Sequence, residues 1–155
     1  MRVTAAVLLA ALPALALEEE IKSDKWTISH WKWERDPREE GAWEALVATK
    51  PLAVIESDRL DGVWGGGGPK DVAPDRFATR AETKVRLPKG RYELKTLSDD
   101  GVRVLVDGKV VQDDWTWHPP KENATALDLD AGEHTIVVEH FEIDGYAVLR
   151  FELKR

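Results

Sequence analysis

Hydrophobic and polar positions alternate with a period of two over much of this chain. Val102, Val104 and Val106 fall on one face of an extended segment, and Arg103 and Leu105 on the other, the pattern of a strand with one buried side. Asp107-Gly108 follows at once and supplies a two-residue hairpin loop, which predicts a second strand over Lys109 to Gln112. Upstream, Val85 and Leu87 oppose Lys84 and Arg86, and Tyr92, Leu94 and Thr96 oppose Arg91, Glu93 and Lys95. Downstream, His134 to Phe141 is rich in β-branched and apolar residues, and Leu149, Phe151 and Leu153 alternate with Val148, Arg150 and Glu152. Turn signals separate these runs: Asp61-Gly62, Gly65 to Pro69, Pro88-Lys89-Gly90, Asp107-Gly108, Asp130-Ala131-Gly132 and Asp144-Gly145. Trp31 and Trp33 share one face of an early strand and read as core. From Gly41 to Ile55 the residues Trp43, Leu46 and Val47 fit either a helical turn or an irregular strand. The chain is expected to be all-β, an antiparallel sandwich or barrel.

Composition narrows the setting. With 155 residues, 43% of them hydrophobic and seven of them Trp, there is enough apolar material for one packed domain and too little length for two. The net charge of -7 argues against nucleic acid as a partner, because phosphate backbones call for a basic stripe. There is no cysteine, so disulfides, thiolate metal sites and a lipid-attached Cys are excluded. Residues 1–16 place one Arg before an apolar run that ends in Ala14-Leu15-Ala16, the form of a secretory signal cleaved near Ala16. That run is short for a membrane span. Residues 17–25 are charged and read as a short linker, and 26–155 as the domain; the expected location is the periplasm or the cell exterior.

The candidate chemistry centres on Asp99-Asp100-Gly101, at the turn between two strands. Read from the residues alone, it is either a loop whose carboxylates cap backbone amides or a cation site. The surrounding motifs add to this. Trp64-Gly65 with Pro69, Asp75-Arg76-Phe77 with Arg80, Leu87-Pro88, Gly90-Arg91-Tyr92, Ser98 to Arg103, Val106 to Lys109, Asp114-Trp115, Ala131 to His134 and Glu139 to Ala147 follow in an order that resembles the PA-fourteen domain. This is the lectin-like β-barrel family named for the anthrax protective antigen. The resemblance extends over Trp26 to Leu153 and is densest after Trp64. It implies a twisted two-sheet β-sandwich.

In sugar-binding members of that family, an aspartate pair joined by a cis peptide ligates calcium, and the ion coordinates sugar hydroxyls. The resemblance therefore implies calcium at Asp99 and Asp100. Two carboxylates cannot complete a shell of about six to eight oxygens, so the turn Glu142 to Gly145 is expected to contribute, with Asp144 through its side chain and Ile143 or Gly145 through a backbone carbonyl. Glu142 reads equally well as a structural acid paired with Arg103. In Trp115 to Pro120, Trp115 is expected in the core, and Trp117 is the candidate platform for a sugar face. His134 and His140 are six residues apart on one strand, roughly 20 Å at about 3.3 Å per residue, and cannot share a metal.

Three functions compete on these features. The first is an exported, noncatalytic module that binds a glycan or cell-surface component. The second is a structural or protein–protein interaction module of the cell envelope without a small ligand. The third and most remote is a glycoside hydrolase using two of Asp99, Asp100, Asp113, Asp114 and Glu142, for which adjacent acids are poorly spaced, since such enzymes set their carboxyl groups about 5 to 10 Å apart.

Overall fold

A computed structural model describes residues 21–155, with Lys22 described by its backbone. The expected signal segment, 1–16, lies outside these residues. Eleven strands and one short helix occur among the described residues, in chain order β1 (Lys22–Ser23), β2 (Trp26–Lys32), α1 (Ala42–Val47), β3 (Ala53–Ser57), β4 (Asp61–Gly65), β5 (Phe77–Leu87), β6 (Gly90–Asp99), β7 (Val102–Val106), β8 (Lys109–Asp114), β9 (Lys121–Leu129), β10 (Gly132–Glu142) and β11 (Ala147–Lys154). One sheet runs β3-β2-β5-β10-β7-β8 with β1 also on β5, and the other runs β4-β11-β6-β9. Every pairing is antiparallel.

The alternation read from the sequence becomes the core between the sheets. Val102, Val104 and Val106 are buried with Leu94, Tyr92, Leu87, Ile136, Val138 and Leu149. Asp107 and Gly108 both have positive φ, 52° and 80°, as the tight turn into β8 requires. Val148, placed on the wet face by its alternation with Leu149, is also buried, beside the register irregularity between Ala147 and Val148 where β11 meets β4. The ambiguous segment resolves into α1 followed by β3. Two residues of the charged stretch 17–25 form β1, since backbone pairing with Val85 and Arg86 needs no apolar side chains. Asp61-Gly62 opens β4 rather than making a turn, and β9 is a strand that the turn signals did not outline.

Near one end of the sandwich the alternation breaks, and Val137 to Glu142 are all buried. The inner face of that stretch meets the opposite sheet. Its outer face is covered by a second cluster of Trp31, Trp33, Trp43 and Ala78, packed with Leu46, Val47, Trp115 and Ile143. Helix α1 therefore roofs the outer side of the large sheet. Trp43 meets Trp115 edge-on at 5.0 Å, and Trp115 meets Phe141 at 4.8 Å. Both crossings between sheets that matter for function lie at this end: β6 passes to β7 through Asp100-Gly101, and β10 returns to β11 through 143–146.

Candidate functional site

The two crossings bring Asp99, Asp100 and Glu142 together. Each offers a carboxylate oxygen, and these atoms lie within 4.8 Å of one another. Asp99 and Asp100 are joined by a cis peptide bond. Period two from His140 places Glu142 on the inner face, and its side chain is fully buried with neither oxygen hydrogen-bonded. The Glu142 backbone is held from the opposite direction, where its carbonyl accepts a hydrogen bond from Trp33 Nε1 at 3.0 Å.

Asp100 clamps two loops. Its Oδ1 accepts the His118 amide at 3.3 Å and its Oδ2 accepts the Ile143 amide at 2.8 Å. Asp99 is held through its backbone carbonyl, which accepts His140 Nε2 at 2.8 Å. His140 sits in an inner aromatic group with Trp64, Phe77 and His30. Gly101 completes the turn, and a Cβ there would stand 2.2 Å from Phe141 Cε1, so only glycine fits. The 115–120 loop is braced from its other side by Asp114, which accepts from Thr116 at 2.9 Å, Asn123 at 2.9 Å and Lys121 at 2.7 Å.

Crowded, buried carboxylates resist ionisation. Burial, reinforced by the charges of Asp100 and Asp99, pushes the Glu142 carboxyl up to about 9. Burial and then the Asp100 charge raise Asp99 to about 6. Asp100 is also raised by burial, against the opposing effect of the Ile143 and His118 amides. Arg38 lies close enough for Asp100 to favour its charge, but its guanidinium is hydrogen-bonded to Asp36. Burial also lowers His30 and His140 to about 4, so both imidazoles are neutral at ordinary pH.

The expected site residues are partly assembled here. Asp99 and Asp100 are at the centre. Asp144 is exposed on the 143–146 loop, near enough for its charge to act on all three buried acids. The Ile143 carbonyl accepts the Arg76 amide at 3.0 Å, and the Gly145 amide donates to Asp75 at 3.1 Å. Trp117 is 60% exposed, beside the His118 amide that binds Asp100. The proposed Glu142–Arg103 pair does not form. Arg103 stands opposite Glu139 in the β7–β10 register, pairs with it at 2.8 Å, and lies 4.4 Å above the Trp115 ring. Tyr146, 49% exposed on the second loop, had no signal in the sequence beyond its place after a turn.

An antiparallel two-sheet sandwich with acids and an exposed Trp at the loops of one end defines a lectin-like β-sandwich module. The chain belongs to the PA14 domain family, whose model matches residues 48–155. Strand β2 and helix α1 precede the matched region, although β2 pairs with both β3 and β5. A curated relative, the anti-sigma-I factor RsgI3 of Acetivibrio thermocellus, is 31% identical over 86 residues, covering 54% of this chain and 13% of the relative. An anti-sigma factor domain-containing protein of known structure superposes with a TM-score of 0.68 at 22% identity, covering 83% of this chain and 42% of that one. A PA14 sugar-binding domain from an RTX adhesin superposes at 0.67 and 16% identity, covering 84% and 89%. The chain thus spans less than half the length of the anti-sigma relatives and most of the adhesin domain.

Proposed function

We propose that this chain is an exported, noncatalytic binding module that holds a glycan of a cell-surface component through a calcium ion at Asp99-Asp100. The observation that carries this reading is the convergence of three buried carboxylates, one of them with both oxygens unpartnered. Buried acids in such a state fit a hard, oxygen-seeking cation. Asp99 and Asp100 would hold the ion, with the Gly145 carbonyl of the adjoining loop as a further donor. The bound ion supplies a positive centre for sugar hydroxyls. The chain's own part is positional: Asp100 ties the Trp117 loop and the 143–146 loop to one carboxylate, and Trp117 offers an indole face to the sugar ring. The sugar-binding adhesin domain of the same fold supports the reading. Asp99 and Asp100 are adjacent in the chain and converge on one site with Glu142, an arrangement suited to an ion rather than to an acid and nucleophile on opposite sides of a glycosidic bond, which supports a noncatalytic role.

A second reading, a protein–protein interaction module of the envelope without a small ligand, draws on Leu52, Val54, Ile55 and Val63. These are more than half exposed on or beside the edge strands β3 and β4. A glycan array probed in calcium and again in chelator distinguishes the two. The lectin reading expects binding that chelator abolishes and that Asp99→Asn with Asp100→Asn removes while the fold is retained by circular dichroism. Binding that survives chelator, or no binding to any glycan, rejects it in favour of the second.

A further inference from the structure

Among the described residues, the acceptor capacity around the aspartate pair is unevenly spent. A carboxylate has about four lone-pair positions on its two oxygens. Asp100 has already used one on each oxygen, for the His118 and Ile143 amides. Asp144 is exposed, where water competes for its charge. Glu142 is the reverse case, with no exposed surface, no partner for Oε1 or Oε2, and one oxygen within 4.8 Å of an oxygen of each aspartate. A core acid serving only the fold would be expected to hydrogen-bond, because an unsatisfied buried polar group costs about 1–3 kcal/mol.

We propose that Glu142 supplies the third carboxylate of the cation site from the interior, while Asp144 is dispensable for binding. The inference rests on the cation reading above and goes beyond it by naming a ligand on the inner face of a strand instead of the loop. It makes the site one of three negative charges, so a trivalent lanthanide binds more tightly than calcium.

The test uses terbium and calcium on the whole chain. Terbium luminescence sensitised by tryptophan, and isothermal titration with calcium, are measured for the native protein, Glu142→Gln, Asp144→Asn and Asp99→Asn. Calcium affinity follows the number of charged oxygens, so Glu142→Gln should weaken it by on the order of a hundredfold or more. Asp144→Asn should stay within about threefold of native, as an exposed, solvent-screened charge would. Glu142→Asp, which keeps the charge one methylene shorter, should bind more tightly than Glu142→Gln, and tryptophan emission with a urea melt confirms that each variant is folded. Native affinity in Glu142→Gln, together with loss in Asp99→Asn, overturns the Glu142 assignment alone. No cation binding by the native protein, or full binding by Asp99→Asn, overturns the cation reading and this inference with it.

Discussion

Replacing Glu142 by Gln should abolish a pH dependence of stability in the cation-free protein. The ordinary value for this carboxyl is 4.5, and in the fold burial and then the neighbouring aspartates push it to about 9. An acid that binds its proton more tightly folded than unfolded loses native stability as pH rises from the unfolded value, until the native state also ionises. Asp99, raised to about 6, acts in the same direction but is largely finished above neutrality. His30 and His140, lowered to about 4, act at the other end, with stability lost as pH falls below 6.5. Between pH 6.5 and 8.5 Glu142 is still contributing, with Asp100, raised by burial, acting in the same direction. At about 1.36 kcal/mol per pH unit for one proton, the share of Glu142 has an upper bound of about 2.7 kcal/mol over this window. Water entry around the ionised group lowers that to roughly 1–2 kcal/mol. Urea unfolding in chelator, followed by tryptophan fluorescence, measures it. The difference between native protein and Glu142→Gln should grow in favour of the variant as pH rises, and taking the difference removes the contribution of other groups. Parallel pH profiles for the two proteins would refute the buried, unpartnered state of Glu142.

Gly101→Ala should cost about 1–3 kcal/mol, because its Cβ would meet the fully buried Phe141 ring at 2.2 Å; a thermal melt that stays at the native midpoint contradicts the turn geometry. Arg103→Met leaves the nearly buried Glu139 unpaired and uncovers Trp115, so a loss of up to about 3 kcal/mol is expected in urea melts, and a double-mutant cycle with Glu139→Gln should show strong coupling. His134 donates to Asp107 at 2.6 Å and to the Asp130 carbonyl at 2.8 Å. Burial lowers its pKa, but these two acceptors outweigh that and leave it raised. Its contribution is complete below 6.5 and disappears as pH rises through the folded value, so Asp107→Asn should bring the NMR titration of His134 down towards 6.5 and cost under about 1 kcal/mol in acid.

What the chain determines by itself is what its neighbours in sequence decide. The valine face of β7, the Asp107-Gly108 turn and the alternation of β6 and β11 are local patterns, so they were legible without a partner strand. Asp99-Asp100 was legible because a fixed order of motifs surrounds it. Strand β9 escaped notice because two of its inward positions, Asn123 and Thr125, are polar, and their partners Asp114 and Gln112 come from another strand. The exchange of Glu142 for Glu139 as the mate of Arg103 has the same origin. Both acids lie within reach in sequence, and only the β7–β10 register sets Arg103 opposite Glu139. Glu142 was readable as an acid at a strand end, since period two from Ile136 through Val138 and His140 puts it on the inner face. Its burial against the aspartate pair was not, because that needs β6 and β10 to cross between sheets at the same end of the sandwich, an arrangement that many residue pairs far apart in the chain decide together.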